Sequence, residues 1–299
     1  MGRVRLLLTS LLYLLLVIGI WVLEEYEESH LGITVALTYS PHFFWLIPLF
    51  LLMHSAFRKK NWAALDVQAL TLIFVMVALM NLRIPTPQEC TGHPLALMSY
   101  STHQGQVSAF VLQNILTVHQ PEVVLLQDTA PSTSMYISSL KRSGWFTAEH
   151  QGLITLSRYP LKKQQGLSSV HALVTDLQLQ RRTVRIINVL LPEVRDPLKF
   201  QLQARTHQGV LKQILGLASR NTVIAGNFNA VPHGLWVKPL RARYSEAMGL
   251  GFGYTYPTFL PVERRDQVWY SGGLCHQKHE VLPERGSDHR AIQVKLSVN

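Results

Sequence analysis

Cysteine is scarce in this chain: Cys90 and Cys275 are the two among 299 residues. Two cysteines allow at most one disulfide, so the fold is not one stapled together by many. Zinc-type clusters are missing as well. Cys275-His276-Gln277-Lys278-His279 offers one cysteine and two histidines without a second ligand group at zinc spacing, and the two read as loop histidines. No internal repeat and no low-complexity stretch occurs. Gly249-Leu250-Gly251-Phe252-Gly253 is glycine-rich but belongs to no strand–turn–helix unit, which excludes a dinucleotide fingerprint.

Charge is scarce in one part of the chain. Up to Leu82 there are five basic residues (Arg3, Arg5, Arg58, Lys59, Lys60) and five acidic ones (Glu24, Glu25, Glu27, Glu28, Asp66), leaving 23 of the 28 basic and 13 of the 18 acidic for the rest. Residues 1–82 thus read as a greasy, nearly neutral unit, and the net charge of +10 belongs to residues 83–299. The 18 residues Leu6–Leu23 carry no charge, about the length of a helix that crosses the hydrocarbon core. Further apolar stretches run through Ile33–Phe57 and Val67–Leu82. Three transmembrane helices are expected, over about 6–23, 35–57 and 63–82. A cleaved signal peptide fits the first poorly, because Glu24-Glu25-Tyr26-Glu27-Glu28 is no small-residue cleavage site. Asp66 is placed at a membrane edge, where a charge costs least. Arg3 and Arg5 precede the first span and Arg58-Lys59-Lys60 separates the second from the third. The positive-inside tendency then puts these loops in the cytoplasm and the remaining domain outside it, at a multi-pass cell membrane. Both cysteines fall in that exported part. A Cys90–Cys275 disulfide and two free thiols both remain open.

Arg83-Ile84-Pro85-Thr86-Pro87-Gln88 opens a linker over 83–93, its prolines opposing helix continuation. Over 94–299, Leu95–Tyr100, Val123–Gln127, Leu153–Ser157, Ala172–Leu179, Val184–Leu191, Thr222–Ala225, Gln267–Tyr270 and Ala291–Leu296 read as strands. Val107–Val118, Thr133–Lys141 and Pro197–Ser219 read as helices. About 210 residues with this alternation bury a sizeable core. The pattern is that of a layered α/β domain.

Several strand ends can be read together. A strand ends in Gln127-Asp128; Gly152-Leu153-Ile154-Thr155-Leu156-Ser157-Arg158-Tyr159-Pro160 follows. Then come Gly226-Asn227-Phe228-Asn229, Arg265-Asp266-Gln267-Val268-Trp269 and Gly286-Ser287-Asp288-His289-Arg290. This order and spacing resemble the endonuclease/exonuclease/phosphatase superfamily over about residues 94–299. The resemblance implies an α/β fold, a two-sheet, four-layer α/β sandwich, here preceded by three transmembrane helices. It also implies metal-assisted phosphate-ester hydrolysis with Mg²⁺ or Mn²⁺ if the site is active, and no cofactor if it is not. A hard ion of this kind needs few carboxylates and keeps several waters.

The family pattern assigns roles that this sequence fills unevenly. Ser101 stands where a metal-site asparagine is usual, and Asp128 replaces the metal-ligating glutamate with an arm one methylene shorter. Leu190, in Asn188-Val189-Leu190-Leu191-Pro192, occupies a catalytic histidine position and can neither donate a hydrogen bond nor carry charge. Asn227 replaces the aspartate that activates water; an amide cannot accept a proton near neutral pH. Asn229, Asp288 and His289 match, as a phosphate or water contact, a metal-side acid and a phosphate-facing imidazole. Asp266 matches as the acid that orients His289. A buried, purely structural Asp266–His289 pair is the competing account.

Lys141-Arg142, Lys162-Lys163, Arg181-Arg182 and Arg264-Arg265 are dispersed basic pairs, each of which alone reads as solvated surface. Together they favour an anionic partner: nucleic acid, phospholipid headgroup or surface polysaccharide. Membrane lipid is the other partner, through the three helices. Tyr254, Tyr256 and Phe259 read as packed core aromatics, with stacking on bases or dipping into lipid as the alternative. Two functions stay open. One is a membrane-anchored, extracytoplasmic member with weak or lost hydrolysis that binds an anionic or phosphate-bearing ligand. The other is an active divalent-metal phosphodiesterase or phosphatase built on Asp128, Asp288, Asn229 and His289.

Overall fold

The computed structural model describes residues 2–26, 32–38, 40–85, 88–167, 169, 171–193, 199–217, 219–232 and 237–299. Glu27 and Glu28 of the acidic loop, Thr86-Pro87 of the linker, and Pro197 and Ala218 of the third expected helix lie outside these residues.

Helix α1 (Gly2–Tyr26) is followed by α2 (Gly32–Thr38), α3 (Leu46–Arg58) and α4 (Trp62–Phe74). A 3-10 turn, His42–Trp45, leads into α3, and a wide π turn, Val75–Leu79, continues α4. The stretch 35–57 is therefore not one span, as the sequence led us to expect. Helix α2 stops at Thr38, and Pro41 sits in an extended conformation (ψ 113°) before the chain coils again, as expected where proline lacks an N–H and crowds the preceding turn. Two helices, Gly2–Tyr26 and Trp62–Leu79, are long and apolar enough to cross a membrane, while His42–Arg58 is shorter.

This region carries large apolar side chains on its outside as well as its inside. Gln68 donates to Ser10 Oγ at 2.8 Å in the buried α1–α4 seam, whereas Leu12, Leu15, Leu51, Phe57 and Leu70 point outward. Arg3 Nε donates to the Lys59 carbonyl and Asn61 Nδ2 to the Arg3 carbonyl. The start of α1 and the α3–α4 turn thus share one end of the bundle.

The second unit contains two six-stranded sheets. In chain order its elements are β1 (His93–Ser101), α5 (Ala109–His119), β2 (Val123–Gln127), α6 (Ser134–Arg142), β3 (Phe146–His150), β4 (Leu153–Ser157), β5 (Leu161–Leu167), β6 (Ala172–Leu179) and β7 (Arg182–Leu190). There follow α7 (Phe200–Gly216), β8 (Thr222–Asn227), α8 (Lys238–Arg241), β9 (Ser245–Glu246), β10 (Asp266–Tyr270), β11 (Leu274–Val281) and β12 (Ile292–Val298). One sheet runs β11-β12-β1-β2-β4-β3 and the other β5-β6-β7-β8-β10-β9. Only the central pairs β1–β2 and β7–β8 are parallel among the described strands, each joined by a crossover that carries a helix.

Alternation sets the layers. Leu95, Leu97, Val123 and Leu125 face Val184, Ile186, Val223 and Ala225 in the core between the sheets. The intervening Met98, Tyr100, Val124 and Leu126 pack under α5 and α6, and Ile187, Val189 and Ile224 pack under α7. Both faces of each central strand are covered, which is why these strands read as unbroken apolar runs. Cys275-His276-Gln277-Lys278-His279 belongs to β11 and not to a loop. A Cys90–Cys275 disulfide, with Cα atoms 5.7 Å apart, ties the linker to that edge strand.

The inter-sheet core carries a buried amide pair at the end where β2 and β7 approach the cleft. Gln127 Nε2 donates to Asn188 Oδ1 at 2.8 Å and to Ser99 Oγ at 3.1 Å, while Asn188 Nδ2 donates to the carbonyls of Leu126 and Ile154. Both amides are fully buried. Replacing Asn188 by alanine strands several of these partners, and we expect a loss of roughly 2–4 kcal/mol in unfolding free energy, read from denaturant titration. Loss below about 0.5 kcal/mol, the ordinary scatter of a surface change, would contradict the bridging role.

Candidate active-site cleft

The same alternation that builds the core builds the cleft beyond it. Continuing the inward-facing positions brings β1 to Ser101, β7 to Leu190 and β8 to Asn227. Strand β10 begins inward with Asp266, two residues before core residue Val268. Leu190, Asn227 and Asp266 stand in one row across three neighbouring strands, as Leu190 pairs with Asn227 and Asn227 with Asp266. The loops after β1, β2 and β8 and the turn before β12 add His103, Asp128, Asn229, Asp288 and His289. They enclose a cleft of about 350 Å³.

Ser101, Asp128, Leu190, Asn227, Asn229, Asp288 and His289 all line this cleft. Asp266 lies behind them, 1% exposed, and its Oδ2 is 2.7 Å from His289 Nδ1. Burial alone pulls the His289 pKa down. The charge of Asp266, its hydrogen bond and the charge of Asp288 outweigh burial and the opposing Arg265, so the imidazole titrates above its ordinary value. The remaining Asp266 oxygen, Oδ1, is buried with no hydrogen-bond partner among the described residues.

Asn227 is held from two sides. Its Oδ1 accepts the Asn229 N–H at 2.9 Å, and its Nδ2 points toward Ser101 Oγ at 3.4 Å. The atom aimed across the cleft is therefore an N–H donor. A carboxylate in this position would be an acceptor and a base. Gly226, just before it, adopts φ +147°, and a Cβ there would collide with the Val189 carbonyl; only glycine lets β8 lie this close to β7. Asn229 follows with φ +46°, and Asn229 Nδ2 donates to the Leu191 carbonyl at 2.8 Å. Asp128 is also left-handed, at φ +52°, a conformation that Asn and Asp accept more readily than most residues.

The two cleft acids are each engaged by neighbouring protein groups. Asp128 Oδ2 accepts the Gln104 N–H at 2.9 Å. Asp288 Oδ1 accepts the Ser287 hydroxyl at 3.1 Å, and its Oδ2 lies 3.1 Å from His103 Nδ1. Among the described residues no three histidine, cysteine, aspartate or glutamate side chains form a metal-binding group. Three of the four carboxylate oxygens of Asp128 and Asp288 thus face a protein N–H, a hydroxyl or an imidazole nitrogen.

Several lining residues carried no role in the sequence reading. His103 stands two positions past Ser101 and was visible there; its partner Asp288 lies far along the chain. His171 precedes β6 at a hairpin end that no motif marks. Tyr256 is a cleft wall and not a core aromatic: its ring lies 4.9 Å from that of His289, and the Arg265 guanidinium covers it at 3.8 Å. Arg265 also pairs with Glu263 and Glu193. Arg264 is 2% exposed and pairs with Glu246 at 3.2 Å, so this basic pair is not solvated surface. Phe259 is exposed and not a packed core aromatic.

Residues 107–289 match the model of the Endonuclease/Exonuclease/phosphatase family. No curated protein matches this chain. Among solved structures, the human Nocturnin catalytic domain with bound sulfate anion is 16% identical, with a TM-score of 0.55, covering 69% of this chain and 95% of that one. The 3′ phosphatase NExo from Neisseria, bound to product DNA hairpin, is 17% identical with a TM-score of 0.53, covering 67% and 98%. Beta toxin from Staphylococcus aureus is 14% identical with a TM-score of 0.56, covering 67% and 99%. At these identities the likeness is one of fold.

The histidine–acid pair has a pH signature. Because the folded His289 pKa is raised, its stabilising contribution is complete below the unfolded value of about 6.5 and is lost as pH rises through the folded value. Buried His207 and His279, pushed down to about 4 and about 3 by burial, give the opposite dependence. The diagnostic is therefore the difference between wild type and Asp266→Asn. We expect Asp266→Asn to lower the His289 midpoint in an imidazole NMR titration. We also expect the stability gap between the two proteins to shrink with rising pH. An unmoved midpoint would remove Asp266 as the cause.

Proposed function

The chain belongs to the endonuclease/exonuclease/phosphatase family, and from that premise we propose a membrane-anchored, extracytoplasmic member. Its cleft binds a phosphate-bearing anion and hydrolyses it weakly or not at all. The observation that carries this reading is the Asn227 amide, with its oxygen engaged by the Asn229 N–H and its NH₂ directed across the cleft. At this point the site offers a donor to an anion and has no base to offer a water.

The other groups support the same division. His289, oriented by Asp266 and shifted toward its charged form, supplies a cation at the cleft wall. The inward position beside Asn227 is Leu190, which holds no proton and neutralises no developing charge. Asn227 and Asn229 can position a phosphoryl oxygen or a water, which leaves orientation without proton transfer. Proton transfer by a positioned group is worth roughly 10²–10⁴-fold, and that term is missing at both substituted positions.

Anchoring is supported by the two long apolar helices and by the bundle's apolar exterior. Arg3, Arg58, Lys59 and Lys60 gather at the end of the bundle remote from the domain, which favours a cytoplasmic position for that end.

The test is hydrolysis by the full-length protein on DNA, RNA, bis-p-nitrophenyl phosphate and phospholipid, each with Mg²⁺ or Mn²⁺. We expect turnover near background for the wild type. We expect a rise of roughly 10²–10⁴-fold when Asn227→Asp and Leu190→His are combined. Robust wild-type turnover that disappears in His289→Ala would overturn the proposal.

A further inference from the structure

The cleft and the membrane helices are not independent parts, because the segments that wall the cleft also seat the domain on the bundle. A small cavity at the junction is lined by Met80 and Asn81 from the end of the α4 helix, and by Val231, Tyr254, Glu263 and Arg264 from the domain. The cleft is lined by Asn229, Tyr256 and Arg265. Three separate pieces of chain therefore place one residue at the junction and another, one or two positions away, in the cleft. Such residues are about 4–7 Å apart along the backbone.

The seating is specific. Arg83 and Gly251 exchange two backbone hydrogen bonds of 2.9 Å where the chain leaves the last membrane helix. Phe252 and Tyr254 stack at 5.2 Å and pack on the cluster of Val17, Ile20, Val75 and Leu79. At the end of α1, Glu25 pairs with Arg241 at 2.7 Å, and Lys238 lies over the Tyr26 ring. Two helix ends thus hold the domain, which fixes its rotation as well as its distance from the membrane. On the same loops, Leu250 beside Gly251 is 79% exposed, and Phe259 and Leu260, between Tyr254 and Glu263, are 77% and 58% exposed. The loop is tied to the cleft as well: Thr258 donates its N–H to the Asp288 carbonyl and its hydroxyl to the Ser287 carbonyl, both at 2.7 Å. Large apolar side chains beside the exit of two membrane helices have a bilayer as the surface that would cover them.

We infer that the cleft is held at the surface of the bilayer its own helices cross and takes the phosphate headgroup of a lipid in that membrane, with Leu250, Phe259 and Leu260 entering the lipid around it. This rests on the anchored, anion-binding reading above and names its ligand. The apolar rim positions the cleft at headgroup depth. The donors of Asn227, Asn229 and His289 then meet a phosphate that lateral diffusion brings to them.

The experiment uses the full chain in nanodiscs of phosphatidylcholine doped with phosphatidylglycerol or with phosphatidic acid. A photoreactive residue replaces Phe259 or Leu250, with Phe146 on β3 as control. We expect lipid adducts at the first two positions and none at the control. Mass spectrometry should find anionic lipid enriched several-fold over its bulk fraction, with the enrichment lost in both Leu190→Asp and His289→Ala. Glycerol 1-phosphate, which has the headgroup chemistry without acyl chains, should bind at least tenfold more weakly. Absence of adducts at Phe259 and Leu250 in a chain that resists alkaline extraction overturns this inference and leaves the anchored reading standing. Release of the chain by alkaline extraction overturns both. Enrichment indifferent to the two substitutions, or glycerol phosphate binding as tightly as lipid, overturns the headgroup assignment. So does an oligonucleotide that binds in a Leu190→Asp-sensitive way without lipid, and that result assigns the cleft to nucleic acid.

Discussion

The Gln127–Asn188 hydrogen bond is the constraint on which the cleft depends. Two stacked sheets with apolar inner faces have no intrinsic reason to stop packing at one level. Here the inner face of each sheet turns to a buried amide at the same height, and the two amides satisfy each other and two neighbouring carbonyls. Below that level, Leu97, Leu125, Ile186 and Ala225 exclude water. Above it β1, β7 and β8 end in Ser101, Leu190 and Asn227, which line the cleft. An unmade hydrogen bond at this depth would cost more than a made one contributes, so the pair fixes the register of one sheet against the other and sets the floor of the site.

On that floor, in the function proposed here, the cleft keeps a phosphoesterase's shape with altered chemistry. Gly226, the left-handed Asn229 and the Asp266–His289 pair keep the backbone and the imidazole in place. Asn227 differs from an aspartate by one heavy atom of equal size, so its contacts with Asn229 and Ser101 keep their shape while the charge and the basicity go. Leu190 fills its position with an apolar group that neither transfers a proton nor repels an anion. In the proposed function, substitution of this kind separates holding a phosphate from breaking its ester bond, because the two tasks draw on different atoms of the same cleft.

The membrane-proximal region adds a second constraint. Arg264 is buried against Glu246 and donates to the Phe252 carbonyl at 3.0 Å, while Arg265, the next residue, lies over the cleft tyrosine. Adjacent side chains on opposite sides of one strand entry therefore link the helix-docking loop to the ligand-facing wall. Distance between the apolar helices and the cleft is set by covalent neighbours and not by a long linker.

Much of this was legible in the residues themselves. The apolar runs Val123–Gln127 and Thr222–Ala225 had to be covered strands, the charge-free Leu6–Leu23 had to be a long helix, and the strand-end motifs located Asp128, Asn227, Asn229, Asp266, Asp288 and His289 as a set. These features are local, since periodicity, length and turn chemistry act over a few residues. The break at Pro41 was local too, but the hydrophobicity of residues 35–57 obscured it. Tertiary structure decided what local rules cannot reach. It paired His103 with Asp288, put Tyr256 in the cleft wall, buried Arg264, made a strand of Cys275–His279 and brought the cleft to the ends of the membrane helices. Each of these joins residues far apart in sequence, and no short-range preference of either partner specifies the other; the packing of two sheets and a helical bundle does.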